Sequence, residues 1–178
     1  MADKIILSEA DIERIIGETV EKIMVDVPNM DDLAIVGIQT RGVELAGRLK
    51  KGIEAKTGAS IRMGVLDITF YRDDLSTRGV LPAIKETRIE FNITNKTILL
   101  VDDVLFTGRT TKAALETLTS FGRPRAIRLF VLIDRGNREL PIRADYCGHC
   151  METALSDKVK VRLSPVDEEG DRVILSRE

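Results

Sequence analysis

The sequence predicts an α/β fold: a mostly parallel central sheet flanked by helices, with a small C-terminal hood. Three observations predict it. Apolar runs at residues 33–38, 97–101 and 127–133 are continuous rather than alternating, as strands covered on both faces must be. Segments of helical period separate these runs. After Asp134 the composition turns polar and Arg-containing, leaving only two short alternating runs.

Taken in order, Ser8-Glu9-Ala10-Asp11 offers an N-cap before Ile12, Ile15, Ile16, Thr19, Val20, Ile23 and Met24. Their spacing of three and four predicts an amphipathic helix, which Pro28-Asn29 breaks. Residues 33–38 read as a fully buried strand. Gly42, Leu45, Ala46, Leu49 and Ile53 then predict a second helix, closed by Gly58. Residues 61–70 alternate in part and predict another strand. From Tyr71 to Thr94 the period dissolves; a loop this long in a compact domain is functional or disordered. Alternation at 88–93 leaves a β-hairpin arm as the other reading.

Order returns with a strand at 97–101, a polar turn over 102–110 and a helix. That helix turns Ala113, Ala114, Leu115, Leu118 and Phe121 inward, and Gly122 and Pro124 end it. A strand at 127–133 follows. Residues 158–163 and 172–175 predict two strands of the hood, which is taken to span about 134–178. No internal repeat divides the chain, so residues 1–178 are read as one domain.

Composition narrows the function classes. Apolar residues make up 43% of the 178 and charged residues 31%, which excludes a disordered chain, a fibrous repeat and a disulfide-stapled miniprotein. The 27 Lys and Arg against 29 Asp and Glu leave a net charge of −2, so nucleic acid could be held only by a local patch. With no Trp, two Tyr and five Phe, stacking platforms for single strands are scarce. No apolar run nears the roughly 18 residues that span a bilayer. The N-terminus turns polar at Ser8, too early for a secretory signal. No membrane partner and a cytoplasmic location are therefore expected.

The chemistry concentrates in Ile98-Leu99-Leu100-Val101-Asp102-Asp103-Val104-Leu105-Phe106-Thr107-Gly108-Arg109-Thr110. A buried strand delivers two adjacent carboxylates to its C-terminal end, where ligands bind in open parallel sheets. A turn rich in Thr and Gly then opens a helix, whose unpaired N–H groups and dipole suit a phosphate. Thr107, Thr110 and Thr111 add hydroxyl donors, and Gly108 lets the backbone approach closely. Two carboxylates beside a phosphate cradle would repel the phosphate unless they served something else. Vicinal sugar hydroxyls, each donating to a carboxylate, supply that role, so a ribose 5-phosphate fits the turn. It is not a Walker loop, because no Gly-Lys-Ser/Thr follows. A helix N-terminus that merely happens to be polar would not bring strand, acid pair and anion turn together.

Cys147-Gly148-His149-Cys150 has the spacing of a thiol–disulfide oxidoreductase motif. It comes late in the chain rather than at a helix opening after an early strand, and no second pair completes a zinc site. Two free thiols in the hood are expected.

Residues 98–110 resemble the signature of type I phosphoribosyltransferases, enzymes that use 5-phosphoribosyl-1-pyrophosphate. Further stretches narrow the resemblance: Val36-Gly37-Ile38-Gln39-Thr40-Arg41-Gly42, Asp67-Ile68-Thr69-Phe70-Tyr71-Arg72-Asp73-Asp74-Leu75, and Asp134-Arg135-Gly136-Asn137-Arg138-Glu139-Leu140-Pro141-Ile142-Arg143-Ala144-Asp145. Together they are similar to the PyrR family, pyrimidine operon attenuation regulators with uracil phosphoribosyltransferase activity. The resemblance runs from Ile6 to about Leu175.

It implies that uracil and 5-phosphoribosyl-1-pyrophosphate give UMP and pyrophosphate, with Mg²⁺ bound through the substrate. It implies that Asp102 and Asp103 hold the ribose, followed by Val104 and Leu105 in the same binding segment. Phe106, Thr107, Gly108, Arg109, Thr110 and Thr111 take the 5′-phosphate. Thr40 and Arg41 take the pyrophosphate, Arg41 joining the acid pair as a catalytic group. Arg135 and Val159 flank the base, and residues 71–94 close over the site. A homodimer or higher homo-oligomer is implied, as is binding of a pyrimidine-operon leader RNA through Arg138 and Arg143. RNA-binding members carry Thr and His where this chain has Gly17 and Glu21, and Lys where it has His149. A carboxylate at position 21 opposes approaching phosphates, so weaker RNA binding is expected. Two other readings stay open: an RNA-binding regulator with vestigial activity, and a phosphoribosyltransferase for another base such as a purine or orotate.

Overall fold

The computed structural model describes residues 3–69 and 86–177. Ser8 opens the first helix through a reciprocal cap. Its hydroxyl accepts from Asp11 N, and the Asp11 carboxylate accepts from Ser8 N at 2.9 Å. This helix, α1 (Glu9–Asp26), buries Ile12, Ile15, Ile16, Thr19, Val20 and Ile23. Strand β1 (Asp3–Leu7) precedes it, and β2 (Leu33–Ile38) follows, buried at every residue. Helix α2 (Arg41–Thr57) ends at Gly58, whose φ of 69° lets its N–H turn back to the Glu54 carbonyl. Then come β3 (Arg62–Leu66), β4 (Thr97–Leu105), α3 (Arg109–Thr119), β5 (Ala126–Asp134) and β6 (Tyr146–Cys150). Strands β7 (Lys158–Arg162) and β8 (Arg172–Ser176) follow, and a short 3-10 turn, Met30–Asp32, stands between α1 and β2.

Five strands form a parallel sheet in the order β3-β2-β4-β5-β6. Alternate residues of its strands enter two separate cores. Leu33, Ile35, Leu99, Val101, Phe130 and Leu132 pack toward α1 and α2. Ala34, Val36, Ile98, Leu100, Leu129 and Val131 pack toward Ala114 and Leu118 of α3. Burial on both faces is why these strands read as unbroken apolar runs.

The strand order places the site. From β2 the chain moves one way to β3, then returns past β2 to lay down β4 on the other side. The direction of winding reverses between β2 and β4, and the crevice beyond their C-terminal ends is where an open α/β sheet binds ligands. Pairing of β2 with β4 stops at Gly37↔Val101, whereas β4 stays paired with β5 to Leu105↔Asp134. One edge of β4 is thus freed as it reaches Asp102.

A second, antiparallel sheet of order β1-β8-β7 forms the hood. Its make-up differs from the sequence expectation. Tyr146–Cys150, taken as hood, pairs in parallel with β5 and ends the main sheet, while β1 joins the hood. The strand expected at 61–70 forms only as Arg62–Leu66. The turn expected from Asp102 starts later, because pairing with β5 carries β4 through Leu105. Phe121 lies beyond the end of α3 and is 45% exposed rather than inward. Of the 71–94 loop, residues 71–85 lie outside the described residues. Arg88 exchanges two 2.8 Å backbone hydrogen bonds with Val65, and Ile93 is fully buried, so residues 86–94 pack against β3 and the sheet.

Candidate active site

At the C-terminal ends of β2 and β4 lies a cleft of about 950 Å³. Arg41, Asp102, Asp103, Val104, Leu105, Phe106, Thr107, Gly108, Thr110, Thr111, Arg135 and Val159 all line it. The structure therefore gathers residues from α2, β4, α3, the segment after β5 and the hood strand β7. Glu139, Lys160, Val161 and Arg162 line it as well, though the sequence did not single them out. A signal for two of these existed: in Lys158-Val159-Lys160-Val161-Arg162 the period of two sets three cations on one face of a strand.

Asp102 is buried at 7% exposure and Asp103 half-buried. The Asp102 carboxylate accepts from Asp103 N at 2.9 Å, and that of Asp103 from Val104 N at 3.0 Å. Each acid is thus oriented by the amide that follows it. Two adjacent carboxylates form a hard-oxygen donor set that fits Mg²⁺, which takes one or two carboxylates and completes its shell from substrate oxygens.

Beyond β4, Gly108 adopts a φ of 94° and caps α3 without a side-chain hydrogen bond. Arg109 N turns back to the Thr107 hydroxyl at 3.3 Å, and the N–H groups of Thr110 and Thr111 remain to meet a ligand. The turn is braced from beneath. The Thr107 carbonyl accepts from Glu139 N and Leu140 N at 2.9 and 3.1 Å. Arg138 donates to the Phe106 carbonyl at 2.5 Å, to the Ile142 carbonyl at 2.9 Å, and to both oxygens of Asp134. Its guanidinium, which the resemblance assigns to RNA, is engaged within the chain beneath the turn of residues 106–108. Arg109 leaves the cleft lining and pairs with Glu139 at 2.7 Å on the surface. Arg143 is exposed.

Arg135 lies 4.0 Å over the ring of Phe106. Its Nε donates to the Thr153 hydroxyl at 2.9 Å, and Nη2 to the carbonyls of Ala154 and Asp157 at 2.9 and 2.8 Å. Burial lowers its proton affinity, with Asp157 opposing. The segment after β6 thus fixes Arg135 against Phe106, and Val159 faces the same space from β7.

Thr40 is the N-cap of α2 and stands next to the cleft rather than in its lining. Arg41, the first helical residue, forks onto Asp167 of the hood: Nε to Oδ2 at 2.9 Å and Nη2 to Oδ1 at 2.7 Å. This contact holds the Asp167 carboxyl down to about 2 and raises Arg41 in turn, burial opposing and Asp103 adding to the rise.

Away from the cleft, Gly17 and Glu21 are exposed on α1, and the Glu21 carboxylate pairs with Lys56 of α2. His149 is half-buried on β6. Cys147 and Cys150 are free thiols with their sulfurs 2.6 Å apart. Burial and the neighbouring Cys150 push the Cys147 thiol up to about 12, opposite to the lowered value of a reactive thiolate.

Comparison with known proteins agrees with this geometry. The profile of the phosphoribosyl transferase domain matches residues 4–168. A protein named bifunctional protein PyrR from Roseiflexus sp. (strain RS-1) is 47% identical over 177 residues, covering 99% of this chain and 97% of that protein. Another of that name, from Thermus thermophilus, is 55% identical over 145 residues, or 82% of this chain and 80% of its own. Among solved structures, a hypoxanthine phosphoribosyltransferase from Staphylococcus aureus superposes with a TM-score of 0.71 at 24% identity, covering 96% of this chain and 90% of that one. One from Trypanosoma cruzi gives 0.75 at 19% identity, covering 98% and 91%. At these identities the structural likeness speaks for the fold.

Proposed function

The chain belongs to the phosphoribosyltransferase family and, within it, to the PyrR proteins; from that premise we propose that it makes UMP and pyrophosphate from uracil and 5-phosphoribosyl-1-pyrophosphate. One observation carries the reading. The acid pair with Asp102 buried, a helix N-terminus without a side-chain cap, Arg135 after β5 and Val159 of the hood share a single cleft.

In this reading the 5′-phosphate rests on residues 106–111, where Thr hydroxyls and first-turn N–H groups donate to it. Asp102 and Asp103 accept hydrogen bonds from the ribose hydroxyls, and the following amides hold both carboxylates in place. Thr40 and Arg41 lie at the leaving-group end. As the bond from C1 to pyrophosphate lengthens, positive charge builds on the ribose, and the nearby carboxylates stabilise it. Uracil N1 attacks from the space between Val159 and the end of β4; its bond to C1 forms as the bond to pyrophosphate breaks, and the N1 proton is lost to solvent or to the departing pyrophosphate. Asp102 and Asp103 would stand beside Mg²⁺ bound through the substrate, which would supply charge neutralisation for the leaving group. No covalent nucleophile is needed, so the chain contributes positioning and electrostatics. Residues 1–178 act as one unit in this scheme, and a homo-oligomer belongs to the same proposal.

Regulation by leader RNA is the second half, supported by the name "bifunctional" that the relatives carry. Assay of the purified protein with uracil, orotate and purines, beside a leader-RNA titration with and without UMP, tests both halves. Transfer to a purine or orotate in preference to uracil overturns the base assignment. RNA binding without transfer favours the regulator alone.

A further inference from the structure

Pyrophosphate is the most highly charged part of the substrate, and of the two residues that the resemblance assigns to it, Thr40 and Arg41, one is a cation. The hood supplies a second guanidinium. Arg162, the last residue of β7, lines the same cleft as Arg41, and one carboxylate touches both. Asp167 takes Arg41 in the fork already described and accepts from Arg162 Nη1 at 3.2 Å. Asp167 is itself pinned by its own loop: Leu163 N donates to its Oδ2 at 2.9 Å, and its own N–H donates to the Leu163 carbonyl at 2.7 Å. Its side chain is only 10% exposed.

Resting on the phosphoribosyl reading of the cleft, we infer that Arg41 and Arg162, held together by Asp167, form a two-guanidinium clamp for the diphosphate group. Arg162 is then a binding residue, and Asp167 a positioning residue that acts through the two arginines. Asp167 is shared by two guanidinium groups, while the second carboxylate near Arg162, Glu169, stands 4.0 Å off and is 55% exposed. Arg41 Nη1 and Arg162 Nη2 make no hydrogen bond among the described residues, so each side chain keeps donors for phosphate oxygens. Arg162 Nε is buried without a hydrogen-bond partner there, its Glu169 neighbour standing 4.0 Å away, outside hydrogen-bond reach. Remove the carboxylate and two like charges face each other on long, flexible stems, which then separate. The clamp also joins two parts of the molecule, since Arg41 opens α2 and Arg162 belongs to the hood.

The test compares Arg162→Ala and Asp167→Asn with the wild-type chain, by titration with pyrophosphate and with UMP, which has no diphosphate. Both variants should weaken pyrophosphate at least tenfold while UMP stays within threefold. The KM for 5-phosphoribosyl-1-pyrophosphate should rise by more than kcat falls. The double variant should fall short of the product of the single effects, because both changes act on one clamp. Unchanged pyrophosphate affinity in Arg162→Ala overturns the inference, as does tighter binding in Asp167→Asn, which would make the carboxylate a competitor of the anion. Equal weakening of UMP overturns it too, by showing a general loosening of the fold. Arg162→Ala keeps the Arg41–Asp167 fork, so it decides the matter if Asp167→Asn unfolds. Wild-type protein that binds neither ligand would instead remove the phosphoribosyl reading, and the inference with it.

Discussion

A β-carbon on Gly42 would stand 2.4 Å from the carbonyl oxygen of Val101, directly before the buried Asp102. The opening turn of α2 therefore rests against the backbone of β4, which is what brings Arg41 to the acid pair. Backbone cannot swing aside as a flexible side chain can. Gly42→Ala is expected to lose about 1–3 kcal/mol of stability, the range for overpacking a tight site. It should also weaken pyrophosphate more than UMP, because Arg41 moves with the helix. Denaturant unfolding and two ligand titrations check both effects.

The acid pair is tested most directly at Asp103. Asp103→Asn keeps the shape and removes the charge that accepts a ribose hydroxyl. A hydrogen bond to a charged group contributes about 1.5–3 kcal/mol, so kcat/KM for 5-phosphoribosyl-1-pyrophosphate should fall roughly 10- to 100-fold. Circular dichroism should be unchanged. Normal kinetics would remove Asp103 from the site.

Thr110 lines the cleft in the first turn of α3. Thr110→Asp puts a carboxylate where the helix dipole and N–H groups favour an anion from outside. UMP affinity should drop more than tenfold, a change of only about 1.4 kcal/mol. Near-normal binding by calorimetry would place the 5′-phosphate elsewhere.

Stability should depend on acid through Asp167. Its carboxyl falls from the ordinary 3.8 to about 2 in the folded chain, mainly through the Arg41 hydrogen bonds. A folded value below the unfolded one means the ionised form favours folding. That contribution is complete above about pH 4 and is lost as pH falls toward 2. Melting temperatures measured between about pH 5 and 2.5 should fall more steeply for the wild type than for Asp167→Asn. Parallel curves would show that the fork adds nothing to stability.

For RNA, Glu21 and His149 are the positions to change. Glu21 pairs with Lys56, so the carboxylate both repels phosphate and neutralises a neighbouring cation. Glu21→His with His149→Lys should strengthen leader-RNA binding and steepen its salt dependence, each added phosphate contact raising the log–log slope by about 0.7–0.9. Tight, specific binding by the wild type at physiological salt would contradict the expected weakness.

The elements legible in the sequence were those whose environment is uniform along the chain. β2, the first part of β4 and residues 129–133 of β5 are covered on both faces, so unbroken apolar runs reveal them, and the acid pair and the turn after it are contiguous. β6 was not legible, because Tyr146-Cys147-Gly148-His149-Cys150 is an edge strand with one buried residue; the free side of β5 makes it a strand. β1 failed for a similar reason, with Ile5 61% exposed and its partner β8 far along the chain. Asp167 looked like one acid among several in a polar turn, and its meeting with Arg41 spans 126 residues. Arg138 shows the same limit from the other side. A guanidinium suited to RNA phosphate is indistinguishable by residue type from one that ties Asp134 to the Phe106 carbonyl.

The pairing of β1 with β8 has a consequence for the order in which the molecule is made. Ser176 bonds Asp3 across 173 residues, so β1 leaves the ribosome long before its partner is synthesised. The parallel sheet and both of its cores draw chiefly on segments that emerge earlier, and domains fold as synthesis supplies them. A nascent chain stopped short of Arg172 therefore holds Asp102, Asp103 and the turn that opens α3 while the hood sheet lacks its middle strand. On the proposed function, phosphate recognition should then precede base recognition during biosynthesis.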